Sequence, residues 1–103
     1  LNYFGLQTVH AIAGIGNPHS FFNTLKALNL QVIEHVLADH HCYKASDLEF
    51  EDDLPIIVTE KDMVKLLDFK LKKLYYLRVK AQLDPGVYEG LLAKLEIKKI
   101  GQG

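Results

Sequence analysis

The 103-residue chain is 49% hydrophobic and sets 12 basic against 13 acidic side chains, for a formal charge of -1. That length supports one core and one domain, and the near-neutral balance excludes the strongly positive surface that binding to a nucleic-acid backbone requires. The one cysteine, Cys42, excludes an internal disulfide and a multi-cysteine zinc site and suits a reducing, cytoplasmic setting. No apolar run reaches the about 20 residues that span a bilayer, and no signal-peptide pattern opens the chain. It starts at Leu1 rather than methionine, so it is expected to be part of a longer protein.

Thr8 to Ala13 (TVHAIA) is short, apolar and closed by Gly14, the pattern of a strand covered on both faces. Asn17 suits an N-cap and Pro18 a first helical position, and Phe21, Leu25 and Leu28 follow at helical spacing, so a helix is predicted from Pro18 to about Leu28. Gln31 to Val36 (QVIEHV) returns to β-branched residues as a second strand, ended by the polar loop Asp39-His40-His41. Ser46 and Glu49 have capping-box spacing, which predicts a short helix starting at Asp47. Leu54 to Val58 (LPIIV) is a third strand. Thr59 with Asp62 repeats the capping pattern ahead of Met63, Val64, Leu66 and Leu67, a third helix. Leu74 to Val79 (LYYLRV) is a fourth strand, and Asp84-Pro85 opens a last helix along the stripe Tyr88, Leu91, Leu92 and Leu95. The tail Gly101-Gln102-Gly103 is expected to fray.

Strands alternating with helices over short connections predict parallel pairing, because a helix supplies the chain needed to return a strand in the same direction. The expected fold is α/β, a small Rossmann-like αβα sandwich on a mainly parallel four-stranded sheet, with residues 1–103 forming a single domain. In such a sheet the loops leaving the carboxyl ends of the strands share one edge, where ligands bind. Gly14-Ile15-Gly16-Asn17-Pro18, Asp39-His40-His41, Thr59-Glu60-Lys61-Asp62 and Leu83-Asp84-Pro85 are predicted to meet there.

The glycine turn ahead of a helix N-terminus suits an anion such as phosphate, and equally serves as a plain tight turn. His19 stands where a dinucleotide fingerprint needs its third glycine, and GxxxxGK[ST] occurs nowhere, so the chain has no nucleotide-cradling loop of its own. A carboxylate beside imidazoles in Asp39-His40-His41 can orient a base, bind a metal or stabilise developing charge, or it is a polar surface loop. Lys61 is in reach of a phosphate, or belongs only to a capped helix start. His10 and His35 lie inside strands and predict hydrogen-bonded structural histidines. Cys42 is expected to be a half-buried thiol, and Lys70, Lys72 and Lys73 a solvated helix end.

Taken in order, AIAGIGNP from Ala11 to Pro18 with Phe21-Phe22, DHH with Tyr43, DLPIIVTEKD from Asp53 to Asp62, and YYLRV running into LDP resemble the tetraacyldisaccharide 4'-kinase family from about Val9 to Leu95. The resemblance implies an enzyme that moves the γ-phosphate of ATP, with Mg²⁺, to the 4'-hydroxyl of a tetraacylated glucosamine disaccharide 1-phosphate, giving lipid IVA in the lipid A biosynthesis of Gram-negative bacteria. In that family a larger N-terminal P-loop domain binds ATP and touches the inner membrane, and a smaller C-terminal domain closes over the cleft. This chain resembles the smaller domain. Its implied partners are the missing N-terminal domain, the lipid disaccharide and, through the full-length protein, the inner-membrane surface on its cytoplasmic side. Alone, the fragment is expected to be inactive and to bind neither ATP nor Mg²⁺. The family's pairing of an N-terminal aspartate with a C-terminal histidine maps that histidine to His40, with Asp39 beside it in the catalytic set and His41 as the backup. Gly14, Gly16 and Asn17 are implied to face the cleft and Lys61 to contact phosphate; no metal ligand is assigned. Ala38 stands where a proline is expected before Asp39, and Arg78 replaces a common proline, departures that bear on loop geometry. Two alternatives stay open: a metal-dependent phosphoesterase of the kind named for Asp-His-His, and a non-catalytic docking domain.

Overall fold

The structure, a computed structural model, describes residues 7–69, 71, 73–83 and 91–100. Its apolar strand segments pair as their composition dictates. β1 (Thr8–Ala13) and β3 (Ile56–Thr59) are interior strands, buried almost throughout, while β2 (Gln31–Val36) is an edge strand with mostly exposed or half-buried positions. With β4 (Leu74–Leu83) and β5 (Leu91–Lys99) they form one sheet in the order β2-β1-β3-β4-β5. β1 pairs parallel with β2 and β3, and β3 parallel with β4, whereas β4 and β5 are antiparallel.

One face of the sheet is covered by α1 (Pro18–Ala27), which buries Phe21, Phe22 and Leu25 against Val9, Ala11, Ala13 and Ile57. Asn29, at φ 68, ends this helix in the left-handed region that asparagine tolerates. The other face packs Ile12, Ile56, Val58 and Leu74 under Leu48, Leu66 and Ile100. Leu48 comes from a 3₁₀ turn (Ala45–Leu48), Leu66 from the segment after α2 (Glu60–Met63), and Ile100 from the turn that follows β5.

The class is α/β with a mainly parallel sheet, as predicted, and the sheet has five strands rather than four. The predicted last helix is the largest correction. Leu91, Leu92 and Leu95 lie in β5, paired with Leu83, Gln82 and Val79. Counted from Tyr88 their i, i+3, i+4, i+7 spacing fits a helix, but from Leu95 to Ile97 the segment also alternates apolar and charged residues, and the edge of β4 offers backbone partners that override local propensity. The predicted third helix shrinks to a single turn, since Val64 and Leu67 stand 60% and 56% exposed and leave no apolar stripe to bury. The 3₁₀ turn begins at Ala45, before the predicted start at Asp47, because the Asp47 carboxylate accepts the Lys44 N–H at 2.8 Å in place of the Ser46/Glu49 box. Asp84, Pro85, Tyr88, Lys70, Lys72 and the tail 101–103 lie outside the described residues.

Candidate functional site

β1, β2 and β3 are mutually parallel, so the chain leaves all three at the same edge. β1 delivers Gly14, whose N–H donates to Asp62 Oδ2 at 3.0 Å. A Cβ on Gly14 would stand 3.2 Å from both the Ala38 carbonyl oxygen and Asp62 Oδ1, so the lack of a side chain lets three connecting segments close on one point. Gly16 is exposed, and a Cβ there would come only within 4.0 Å of Asp39 Oδ2. Asn17 then caps α1, its side chain accepting the Ser20 N–H at 3.4 Å.

After β2, the His41 N–H donates to the Ala38 carbonyl at 3.1 Å and closes a turn around Asp39 and His40. His40 is exposed at the third position of that turn with φ 65, a conformation that favours glycine or asparagine. Among the described residues His40 has no hydrogen bond or ion pair. His41 is differently placed. Its Nε2 lies 2.9 Å from Asp47 Oδ2, its ring meets Tyr43 edge-on at 5.3 Å, and its carbonyl accepts Lys65 Nζ at 3.3 Å. The His41 imidazole, and after it the Lys44 N–H, hold the Asp47 carboxyl below its ordinary pKa.

The third connection supplies Asp62, only 1% exposed. Its N–H donates to Thr59 Oγ1 at 3.1 Å, the half of the cap that the Thr59/Asp62 spacing predicts, while its carboxylate accepts the Thr59 hydroxyl at 2.6 Å rather than the Thr59 N–H. Asp62 Oδ1 and the Tyr43 hydroxyl are both buried without a partner in hydrogen-bonding geometry. The two groups still feel each other: burial, and after it the Asp62 carboxylate, push the Tyr43 phenol well above its ordinary pKa. Beside this junction Asn17, Ser20, Thr24, Thr59 and Lys61 line an open groove of about 380 Å³.

Gly14, Gly16, Asp39, His40 and Asp62 thus come together at one edge, and Asn17 shares a groove with Lys61. His41 turns inward to Asp47 and Tyr43. Of the fourth predicted loop only Leu83 is among the described residues, and it does not join them. β4 pairs with β3 only as far as Leu77 and continues with β5 to Leu83, which carries that end about 20 Å beyond the edge at the rise of a strand. Cys42 is exposed rather than half-buried. The role of Asp62 in tying Gly14, 48 residues away, has no linear signal beyond the cap spacing.

A second cluster lies on the sheet face away from α1. His10 Nε2 sits 2.9 Å from Asp52 Oδ2 and His10 Nδ1 2.9 Å from His35 Nε2, with Phe50 stacked on the His10 ring at 3.8 Å. An ionised carboxylate only accepts, so His10 Nε2–H donates to Asp52 and, in a neutral ring, leaves Nδ1 to accept from His35. These are the hydrogen-bonded strand histidines that the sequence predicts.

The profile of the tetraacyldisaccharide-1-P 4'-kinase family matches residues 3–96. The chain belongs to the tetraacyldisaccharide 4'-kinase family. It is 47% identical over 95 residues to the tetraacyldisaccharide 4'-kinase of Hahella chejuensis, covering 92% of this chain and 28% of that protein. The tetraacyldisaccharide 4'-kinase of Ruthia magnifica is 45% identical over 92% of this chain and 30% of its own length, and that of Ectopseudomonas mendocina 49% over 82% and 26%. The chain therefore spans under a third of the length of these family members. No solved structure matches it. Among the described residues no helix is long and apolar enough to cross a membrane, and no group of three His, Cys, Asp or Glu side chains converges to hold a metal ion.

Proposed function

We propose that this chain is the C-terminal domain of a tetraacyldisaccharide 4'-kinase and that His40 is the imidazole it contributes to phosphoryl transfer. The full-length enzyme moves the γ-phosphate of ATP to the 4'-hydroxyl of a tetraacylated disaccharide 1-phosphate at the cytoplasmic face of the inner membrane. The observation that carries the residue choice is the contrast within the histidine pair. His40 is exposed at a left-handed turn position beside the glycine turn, while His41 is tied to Asp47. A strained, unpartnered imidazole at a strand's carboxyl edge is where strain serves a site rather than the core.

In this reading the sugar hydroxyl attacks the γ-phosphorus, the bond to the β–γ bridging oxygen breaks so that ADP leaves, and an aspartate of the N-terminal domain receives the hydroxyl proton. His40, delivered by domain closure, orients that carboxylate and stabilises its charge. Phosphoryl transfer depends chiefly on such positioning and electrostatics. Lys61 and the amino end of α1, which share a groove, would receive phosphate oxygens of the substrates. Mg²⁺ would accompany ATP in the N-terminal domain. A two-metal phosphoesterase would need several carboxylates and imidazoles converging at one point, and among the described residues no three such side chains do.

The test is a kinase assay on the full-length protein with ATP and the tetraacylated disaccharide 1-phosphate. His40→Ala is expected to lower kcat about 10²-fold or more, as loss of a group in acid–base catalysis does. His41→Ala is expected to act mainly on stability, lowering the melting temperature through loss of the Asp47 contact. An unchanged kcat in His40→Ala would overturn the assignment. The isolated 103-residue chain is expected to show no ATP-dependent product.

A further inference from the structure

We propose that Asp62 and Tyr43 form a buried clasp that sets the His40 turn against the glycine turn, which makes both of them positioning residues for the transfer; the proposal rests on His40 being the reacting imidazole.

The reasoning starts from an excess. A one-turn helix such as α2 is adequately capped by Thr59, and an exposed acid at its third position would serve as well. Asp62 is instead 1% exposed and keeps one oxygen unsatisfied, an unfavourable arrangement for a carboxylate unless it does more than cap. What it does is hold three connections. Oδ2 accepts the Gly14 N–H at 3.0 Å and the Thr59 hydroxyl at 2.6 Å. Where Gly14 lacks a Cβ, the Ala38 carbonyl closes in, and that carbonyl accepts the His41 N–H that forms the turn bearing His40. Position is thereby passed from Asp62 through Gly14 to the His40 turn.

Tyr43 supplies a second route. It lies three residues after His40, packs edge-on to the His41 ring, and buries a hydroxyl that has no partner. The orphan atoms are complementary, since Tyr43 O–H is a donor and Asp62 Oδ1 an acceptor. A small movement of Tyr43 satisfies both and draws the segment 39–43 toward the glycine turn. Asp62 touches no reacting atom in this scheme and acts only through where His40 stands.

Kinetics of the full-length enzyme against ATP and the tetraacylated disaccharide 1-phosphate test this, in wild-type and His40→Ala backgrounds. Asp62→Asn keeps the shape of the side chain but replaces one of its two acceptor oxygens with an N–H donor. In the wild-type background it is expected to lower kcat about tenfold to hundredfold, the scale of a small misplacement. Both KM values are expected to stay within about twofold. Tyr43→Phe is expected to lower kcat about fivefold, the worth of one net hydrogen bond. In the His40→Ala background each substitution is expected to change kcat by less than about twofold, because the group they position is gone. A purely structural pair would give the same loss in both backgrounds, tracking the folded fraction in a thermal melt, and that result overturns the clasp alone. So does an unchanged kcat in both variants. If Asp62→Asn fails to fold, the Tyr43→Phe comparison decides. If His40→Ala itself leaves kcat unchanged, the reading of the site falls first and the clasp with it.

Discussion

Gly14 and Gly16 look alike in the sequence, two glycines of one turn, yet they have different jobs. Neither has the positive φ that reserves a position for glycine, so the difference is one of space. At Gly14 an added Cβ meets backbone of the next connection at 3.2 Å, and backbone yields poorly. Gly14→Ala is expected to cost about 1–3 kcal/mol, as overpacking does. Gly16→Ala, with its nearest atom 4.0 Å away, is expected to stay within about 0.5 kcal/mol. Urea midpoints of the two variants check the contrast, and equal midpoints would remove the three-way junction at Gly14. His40 and His41 repeat the lesson. They are chemically identical neighbours, separated by one backbone torsion that turns the first to solvent and the second to Asp47.

Between elements, the Asp52-His10-His35 chain couples β1, β2 and the segment before β3. Burial, followed by the neighbouring His10, lowers the His35 pKa from its ordinary 6.5. The unfolded chain then takes up that proton more readily than the fold, so the contribution is whole above pH 6.5 and is lost as pH falls through that value. The Asp52 carboxyl is also lowered, by His10 first and the Leu54 N–H second; its contribution, present above 3.8, is lost only in stronger acid. Both signs make acid destabilising, with the histidine acting first. His35 is only half-buried, so solvent screens much of the effect. The melting temperature is expected to fall by about 1–3 °C between pH 7.5 and 5.5, and His35→Gln to flatten that fall. A slope unchanged in His35→Gln would assign the acid sensitivity elsewhere. The antiparallel β4/β5 pair is the other event at this scale: it takes Leu91, Leu92 and Leu95 from the predicted last helix into a strand and carries Leu83 away from the candidate site.

For the molecule as a whole, two apolar layers on the sheet decide stability. Ile57 sits at 0% exposure on the central strand, packed with Val9, Ala11 and Phe22 under α1. Ile57→Ala is expected to cost about 2–5 kcal/mol, a large share of what a domain of this size has. Val64→Ala, 60% exposed, is expected to change stability by under about 0.5 kcal/mol. Denaturant titration of both variants measures the difference. The face away from α1 is built from turns rather than full helices, so Leu48 and Leu66 do the work that a second helical layer was expected to do.

Unaided, the linear chain determined the parallel frame, because TVHAIA, QVIEHV and the IIV of β3 are apolar or β-branched runs closed by residues that stop a strand. It determined the caps at Asn17 and Thr59, because capping is a contact over three residues. Through ordered motifs from Ala11 to Asp62 it also determined the family. Tertiary structure alone decided that Leu91–Lys99 is a strand, since its partner is the edge of β4 and not its own next turn. Tertiary structure likewise decided that Asp62 belongs to Gly14, and that the strand histidines share a proton chain with Asp52. Those contacts join residues tens of positions apart, and burial, which gives them their strength, exists only once the layers have closed.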